Sequence, residues 1–224
     1  PEVAAPVVAV LSRMVLGLSH FGKQFVAGDG LGAMNQARLL ARDMPTKLLS
    51  DVVLLINQLA RTSEEHYPYI QQAQVLPNLA SLLEHEEASI RAKACNLFGN
   101  LCRYSGMFYK DFDNTPAHAT RSLLTSLVMC CHNADAVTRK FACFAIGNAS
   151  FHSGTLYQNL RPSIPYLVEA LSDRDEKTRA NAAGALGNLV RNSGILCQKL
   201  LDELGPQTLL QVRLCYSLRY MALA

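Results

Sequence analysis

Tryptophan is absent from this chain of 224 residues, and Asp, Glu, Lys and Arg together make up only 17% of it. Scarce charge, with half the residues apolar, is the reverse of the disorder signature, so the chain must fold around a core. No apolar run reaches the roughly 18 residues that a membrane-spanning helix needs, and no membrane insertion is expected. The longest candidate, 3–18, is broken by Pro6, Ser12 and Arg13 and lacks the basic start of a signal peptide. A net charge of +3 is too mild to argue for nucleic acid as the partner. None of the seven cysteines forms a CxxC pair, and an odd number spread along an apolar chain is no secreted disulfide framework. Free thiols in a reducing, cytoplasmic compartment are expected. Cys130, Cys131 and His132 lack a fourth ligand at zinc spacing, so no metal site is expected either.

Catalytic signatures are also missing. There is no GxSxG, no HExxH, and neither HRD nor DFG of a kinase. GDGLG (28–32) lacks the lysine and the preceding strand of a phosphate loop and reads as a turn. His66 with Glu64 and Glu65, and His85 with Glu86 and Glu87, are acid–base types, but they fall in polar turns and read as solvated surface. We expect no enzyme activity, no catalytic residues and no cofactor.

What the chain does have is a repeat. IRAKACNLFGNLCRYSG (90–106), TRKFACFAIGNASFHSG (138–154) and KTRANAAGALGNLVRNSG (177–194) align without gaps on Asn100, Asn148 and Asn188. Nine residues before each asparagine stand Arg91, Arg139 and Arg179; six before stand Ala94, Ala142 and Ala182; one before stand Gly99, Gly147 and Gly187. The asparagines are 48 and 40 residues apart, and weaker copies around Asn57 and Gly17 extend the register towards the start of the chain. That period is the one found in armadillo and HEAT arrays. Leu76, Leu79 and Leu83, with their counterparts Leu124, Leu127 and Cys131, give the 3-4-7 spacing of an amphipathic helix, and Pro77 and Pro165 suit a first helical turn. A polar turn and a long, almost wholly apolar helix follow, ended by Ser-Gly, where glycine could take a left-handed cap.

The expected fold is therefore all-α: a right-handed armadillo/HEAT-like superhelical solenoid of about five three-helix repeats. The approximate units are 1–30, 31–72, 73–120, 121–160 and 161–200, with a partial unit 201–224 and an insertion at 107–120. The recurring asparagines leave two readings open. As a ladder on the concave face their amides would pin the main chain of an extended peptide. Alternatively they bond neighbouring backbone and hold the stack. Arg61, Arg103, His152 and Arg191 at the inner helix ends either favour an acidic ligand or offset the helix dipoles. The candidate groove is thus Asn57, Asn100, Arg103, Asn148, His152, Asn188 and Arg191.

These strings resemble the armadillo family, in which the third helix lines the groove and its asparagine contacts peptide backbone. The resemblance carries that role to Asn100, Asn148, Asn188 and Asn57. Importin-type repeats place tryptophan four residues before the asparagine; here stand Val53, Asn96, Phe144 and Gly184, so nuclear-import cargo binding of that kind is not expected. RAKACNLFGNLCRYSGMFY, TRKFACFAIGNASFHSGTLY and TRANAAGALGNLVRNSGILC further resemble the C-terminal armadillo region of Fused-type serine/threonine kinases. That resemblance implies a non-catalytic, regulatory part of a larger kinase, tied to Hedgehog signalling, motile cilia assembly and a cilium-associated location. Its partner would be another protein or an extended, acidic peptide, or its own kinase domain. A generic armadillo scaffold unrelated to kinases is the remaining alternative.

Overall fold

A computed structural model describes residues 3–112, 121–191, 193–198 and 201–202. Among the described residues all regular structure is helical. The helices are α1 (Ala4–Gly17), α2 (Ser19–Ala27), α3 (Gly30–Gln36), α4 (Thr46–Thr62), α5 (Tyr67–Gln72) and α6 (Leu76–Leu83). They continue with α7 (Ala88–Leu101), α8 (Leu123–Cys130), α9 (Ala136–Ala149), α10 (Tyr157–Leu160), α11 (Ile164–Ala170) and α12 (Glu176–Val190). The long helices α1, α4, α7, α9 and α12 stack in chain order, each on the next, and shorter helices pack against them, α6 on α7, α8 on α9 and α11 on α12. The result is a solenoid with one continuous core running its length, because no single unit encloses an interior of its own.

Each sequence column has a physical cause. Pro77 and Pro165 occupy the first turns of α6 and α11, where a missing N–H costs nothing. Ala94, Ala142 and Ala182 are fully buried between stacked helices. The arginines nine residues before the asparagines tie down the turn that precedes each long helix. Nη1 of Arg91 donates to the carbonyls of His85 and Glu86 at 2.7 Å each, Arg139 to those of Asn133 and Ala134, and Arg179 to those of Asp173 and Arg174. Asp135 and Asp175 cap α9 and α12 by accepting from the backbone N–H and hydroxyl of Thr138 and Thr178.

Some expectations need correction. The Ser-Gly pairs do not end helices through a left-handed glycine: none of Gly106, Gly154 and Gly194 has a positive φ, and the non-glycine residues that do are Asp29, Arg38 and Gln74. Ser153 instead caps the short 3₁₀ turn Gly154–Leu156, so the pair opens the next unit rather than closing the last. His66 and His85 are buried, not solvated. His66 Nδ1 donates to the carbonyl of Leu59 at 2.9 Å and His85 Nδ1 accepts from the N–H of Glu87, so both brace turns from inside. Residues 107–112, the start of the expected insertion, form turns in which Phe108, Tyr109 and Phe112 are buried, and Phe112 stacks on Phe98 with centroids 4.5 Å apart. The rest of the expected insertion, 113–120, and the partial unit beyond 202 lie outside the described residues. Of GDGLG only Gly28 and Asp29 form a turn, while Gly30, Leu31 and Gly32 begin α3; Asp29, at φ 53°, has its carboxylate folded over Gly32, where a phosphate would be repelled.

Candidate functional site

The asparagine column lies on the long helices, and its amide nitrogens point along the stack. Asn148 Nδ2 donates to the carbonyl of Gly99 at 2.8 Å, and Asn188 Nδ2 donates to that of Gly147 at 2.8 Å, each reaching into the preceding unit. Asn100 Nδ2 donates to Asn57 Oδ1 at 2.8 Å and to the carbonyl and Oδ1 of Asn96. Asn57, Asn100 and Asn188 are only 5%, 2% and 9% exposed, while Asn148 is half-buried. A ladder of freely solvated amides is therefore not what the fold builds. Glycine one residue before lets the helices approach so closely that the amide of one unit meets the backbone of the last.

The cationic column behaves similarly. Arg103, His152 and Arg191 are exposed at the ends of α7, α9 and α12. His152 Nε2 donates to the carbonyl of Arg103 at 3.2 Å, and Arg191 Nη2 donates to that of Phe151 while its guanidinium lies 4.9 Å from the Phe151 ring. Arg103 lies 5.7 Å from the ring of Tyr104, whose hydroxyl donates to the carbonyl of Arg61. At this rim His152 and Arg191 bond to the unit before them, whereas beside Arg103 it is Tyr104 that does so.

Sequence reasoning overlooked a third column. Tyr67, Tyr109 and Tyr157 donate their hydroxyls to the main-chain carbonyls of Asn100, Asn148 and Asn188, the residues that set the register. Burial pushes the Tyr67 phenol up to about 12 and the Tyr109 phenol up as well. The signal was present: SG-x-x-Y recurs in SGMFY and SGTLY. Asn96 and Phe144, four residues before the origin, with Lys140, Phe141, Lys177, Ala180 and Asn181, line a recess of about 370 Å³ across α7, α9 and α12. Phe144 lies against Gly99, where an added Cβ would come within 2.5 Å of its ring. Asn181 Nδ2 donates to the carbonyl of Lys140 at 3.1 Å and fixes one wall.

Two segments match models of known repeats: 138–189 matches the HEAT-like repeat and 75–105 the HEAT repeat. The chain is 41% identical over 206 residues to serine/threonine-protein kinase TIO of Arabidopsis thaliana, covering 92% of this chain and 15% of that kinase. It is 30% identical over 217 residues to serine/threonine-protein kinase 36 of Mus musculus, covering 92% of this chain and 16% of the relative. It thus spans about a sixth of the length of these curated relatives. Among solved structures, a designed armadillo repeat protein superposes with a TM-score of 0.80 at 22% identity, over 92% of this chain and 84% of the other. A designed armadillo repeat protein in complex with peptide (KR)4 superposes at 0.76 with 21% identity, over 87% and 79% of the two chains.

Proposed function

From the premise that this chain is an armadillo/HEAT-type repeat array homologous to part of the Fused-type serine/threonine kinases, we propose that it is a non-catalytic interaction domain. Its inner face takes an extended segment of a partner protein. The observation that supports this reading most is the run of half-buried side chains on the stacked long helices: Asn96 on α7, Phe141, Phe144 and Asn148 on α9, and Asn181 on α12. A solenoid that buries its units against one another has this face left for partners. The designed armadillo protein that holds (KR)4 is a precedent for peptide binding on this fold. In the proposed site, Asn148, Arg103, His152 and Arg191 meet the partner, and Asn57, Asn100 and Asn188 hold the helices that form the floor. The rim cations suit an acidic segment. The kinase relatives extend far beyond the matched region, so a kinase domain of the same polypeptide, present at high effective concentration, is a second candidate partner. The setting proposed with this reading is cytoplasmic, with Hedgehog signalling and motile cilia assembly as the processes served.

The test is isothermal titration of the repeat chain with a separately purified kinase domain and with acidic extended peptides. Replacing Arg103, His152 and Arg191 together by glutamate should weaken the captured ligand about 10-fold or more, since about 1.4 kcal/mol corresponds to one decade. Competition between peptide and kinase domain would show that they share the face. Undiminished binding by the folded triple variant would move the site off this rim.

A further inference from the structure

The recess at Phe141 and Phe144 carries charge of one sign. Its lining holds two lysines, Lys140 and Lys177, and no carboxylate. Neither lysine lies within salt-bridge distance of an acid among the described residues, although Lys140 Nζ sits 5.4 Å from the Phe141 ring. Asp175 lies near enough for both lysines to stabilise its charge, but it pairs directly with neither, and its Oδ2 accepts from the N–H and hydroxyl of Thr178 at 3.0 and 2.8 Å. The floor is apolar: Phe144 lies across Gly99, Phe141 is half-buried, and Ala180 is too short to fill the space. Asn96 and Asn181 stand at its edges, both half-buried, with Asn96 Oδ1 accepting from Asn100 and Asn181 Nδ2 donating to the carbonyl of Lys140.

An apolar hollow flanked by unpaired ammonium groups and edged by amides is the complement of an apolar side chain flanked by carboxylates. We propose that this recess is the specificity pocket of the groove and that its occupant is an acidic extended protein segment, in which a leucine- or phenylalanine-like side chain enters between Lys140 and Lys177 while neighbouring Asp or Glu residues pair with them. The proposal rests on the groove reading above and adds the chemistry of its ligand. It also sets this face apart from a groove that accepts alternating lysine and arginine, which would bring like charges together here.

Fluorescence anisotropy with three labelled synthetic peptides tests it: alternating Glu-Leu, alternating Lys-Leu and alternating Glu-Ser. Wild-type chain should bind Glu-Leu at least about 10-fold more tightly than either control, with an affinity that falls as salt rises. Lys140→Glu with Lys177→Glu should cost about 10-fold or more for Glu-Leu and shift preference towards Lys-Leu. Lys177 is exposed and Lys140 half-buried, so the melting temperature of the double variant is measured alongside, and a folded double variant separates lost binding from lost folding. Three results overturn the pocket: preference of the wild type for Lys-Leu, equal binding of Glu-Leu and Glu-Ser, or unchanged Glu-Leu binding by the double variant. If Glu-Leu binding survives the lysine reversals but is lost on Arg103→Glu with Arg191→Glu, the groove stands and the pocket fails. If no peptide binds, both readings fail together.

Discussion

At the scale of single residues, two glycines in the same column have different jobs. A Cβ on Gly99 would lie 2.5 Å from the Phe144 ring and 3.1 Å from the Ala145 backbone, whereas one on Gly147 would meet Ala185 at an ordinary 3.6 Å. Gly99→Ala should therefore destabilise the chain by about 1–3 kcal/mol through overpacking. Gly147→Ala should be neutral or stabilising by up to about 1 kcal/mol, because alanine is the better helix former and has room. Urea melts of the two variants decide it: equal losses would mean that helix approach is not what selects glycine at Gly99. The asparagines follow the same logic. Each hydrogen bond from Asn148 and Asn188 into the preceding unit contributes about 0.5–1.5 kcal/mol. Replacing Asn100, Asn148 and Asn188 by alanine should lower the melting temperature measurably, whatever it does to binding.

At the scale of elements, the turns before the long helices differ by one charge. Arg139 reaches forward to Asp173, with Nη2 at 2.8 Å and Nε at 2.9 Å from Oδ2. Arg91 reaches forward to the equivalent Asn133 at 3.3 Å, and its Nε is buried without a partner. Asn133 already accepts from the N–H of Asp135 as Asp173 accepts from that of Asp175, so the two turns are otherwise alike. Asn133→Asp should supply the missing carboxylate and raise stability by about 0.5–1 kcal/mol, the upper range for a partly exposed pair. The gain should vanish in an Arg91→Gln background, which a double-mutant cycle by thermal melting would reveal. A gain that persists without Arg91 would assign it to the helix dipole of α9 instead.

At the scale of the whole molecule, the repeated caps give stability a pH window. The Asp175 carboxyl is held below its usual range chiefly by the Thr178 hydroxyl. For Asp135 and Asp173 desolvation pushes upward, but it is outweighed, for Asp135 by hydrogen bonds from Thr138 and for Asp173 by bonds from the Asp175 N–H and Arg139. Groups depressed in the folded state add stability that is complete above the unfolded carboxylate value, about 3.9, and is lost as pH falls through their folded values. Tyr67 works in the opposite sense: its phenol is raised by burial to about 12, so its contribution is complete below the ordinary value of 10 and fades as pH rises towards 12. Melting temperature should be flat near neutrality and fall on both sides. Asp135→Asn with Asp175→Asn should flatten the acid limb. An unchanged acid limb would show that other carboxylates dominate it.

Much was legible in the sequence because stacked repeats leave a direct imprint. A position that meets the same neighbour in every unit keeps the same residue type, so the alanine, glycine, arginine and asparagine columns reported period, helix order and core without coordinates. The Fused-type kinase resemblance rested on the same strings. Where those columns point was decided by the tertiary structure alone. The amides of Asn148 and Asn188 reach the carbonyls of Gly99 and Gly147 in the preceding unit instead of water, a consequence of interhelix distance that spacing does not encode. His66 and His85 look solvated in polar strings and are buried because the turn folds back under its neighbour. The lysine and phenylalanine recess escaped notice because its residues come from three helices, each at a different offset, and only their packing brings them together.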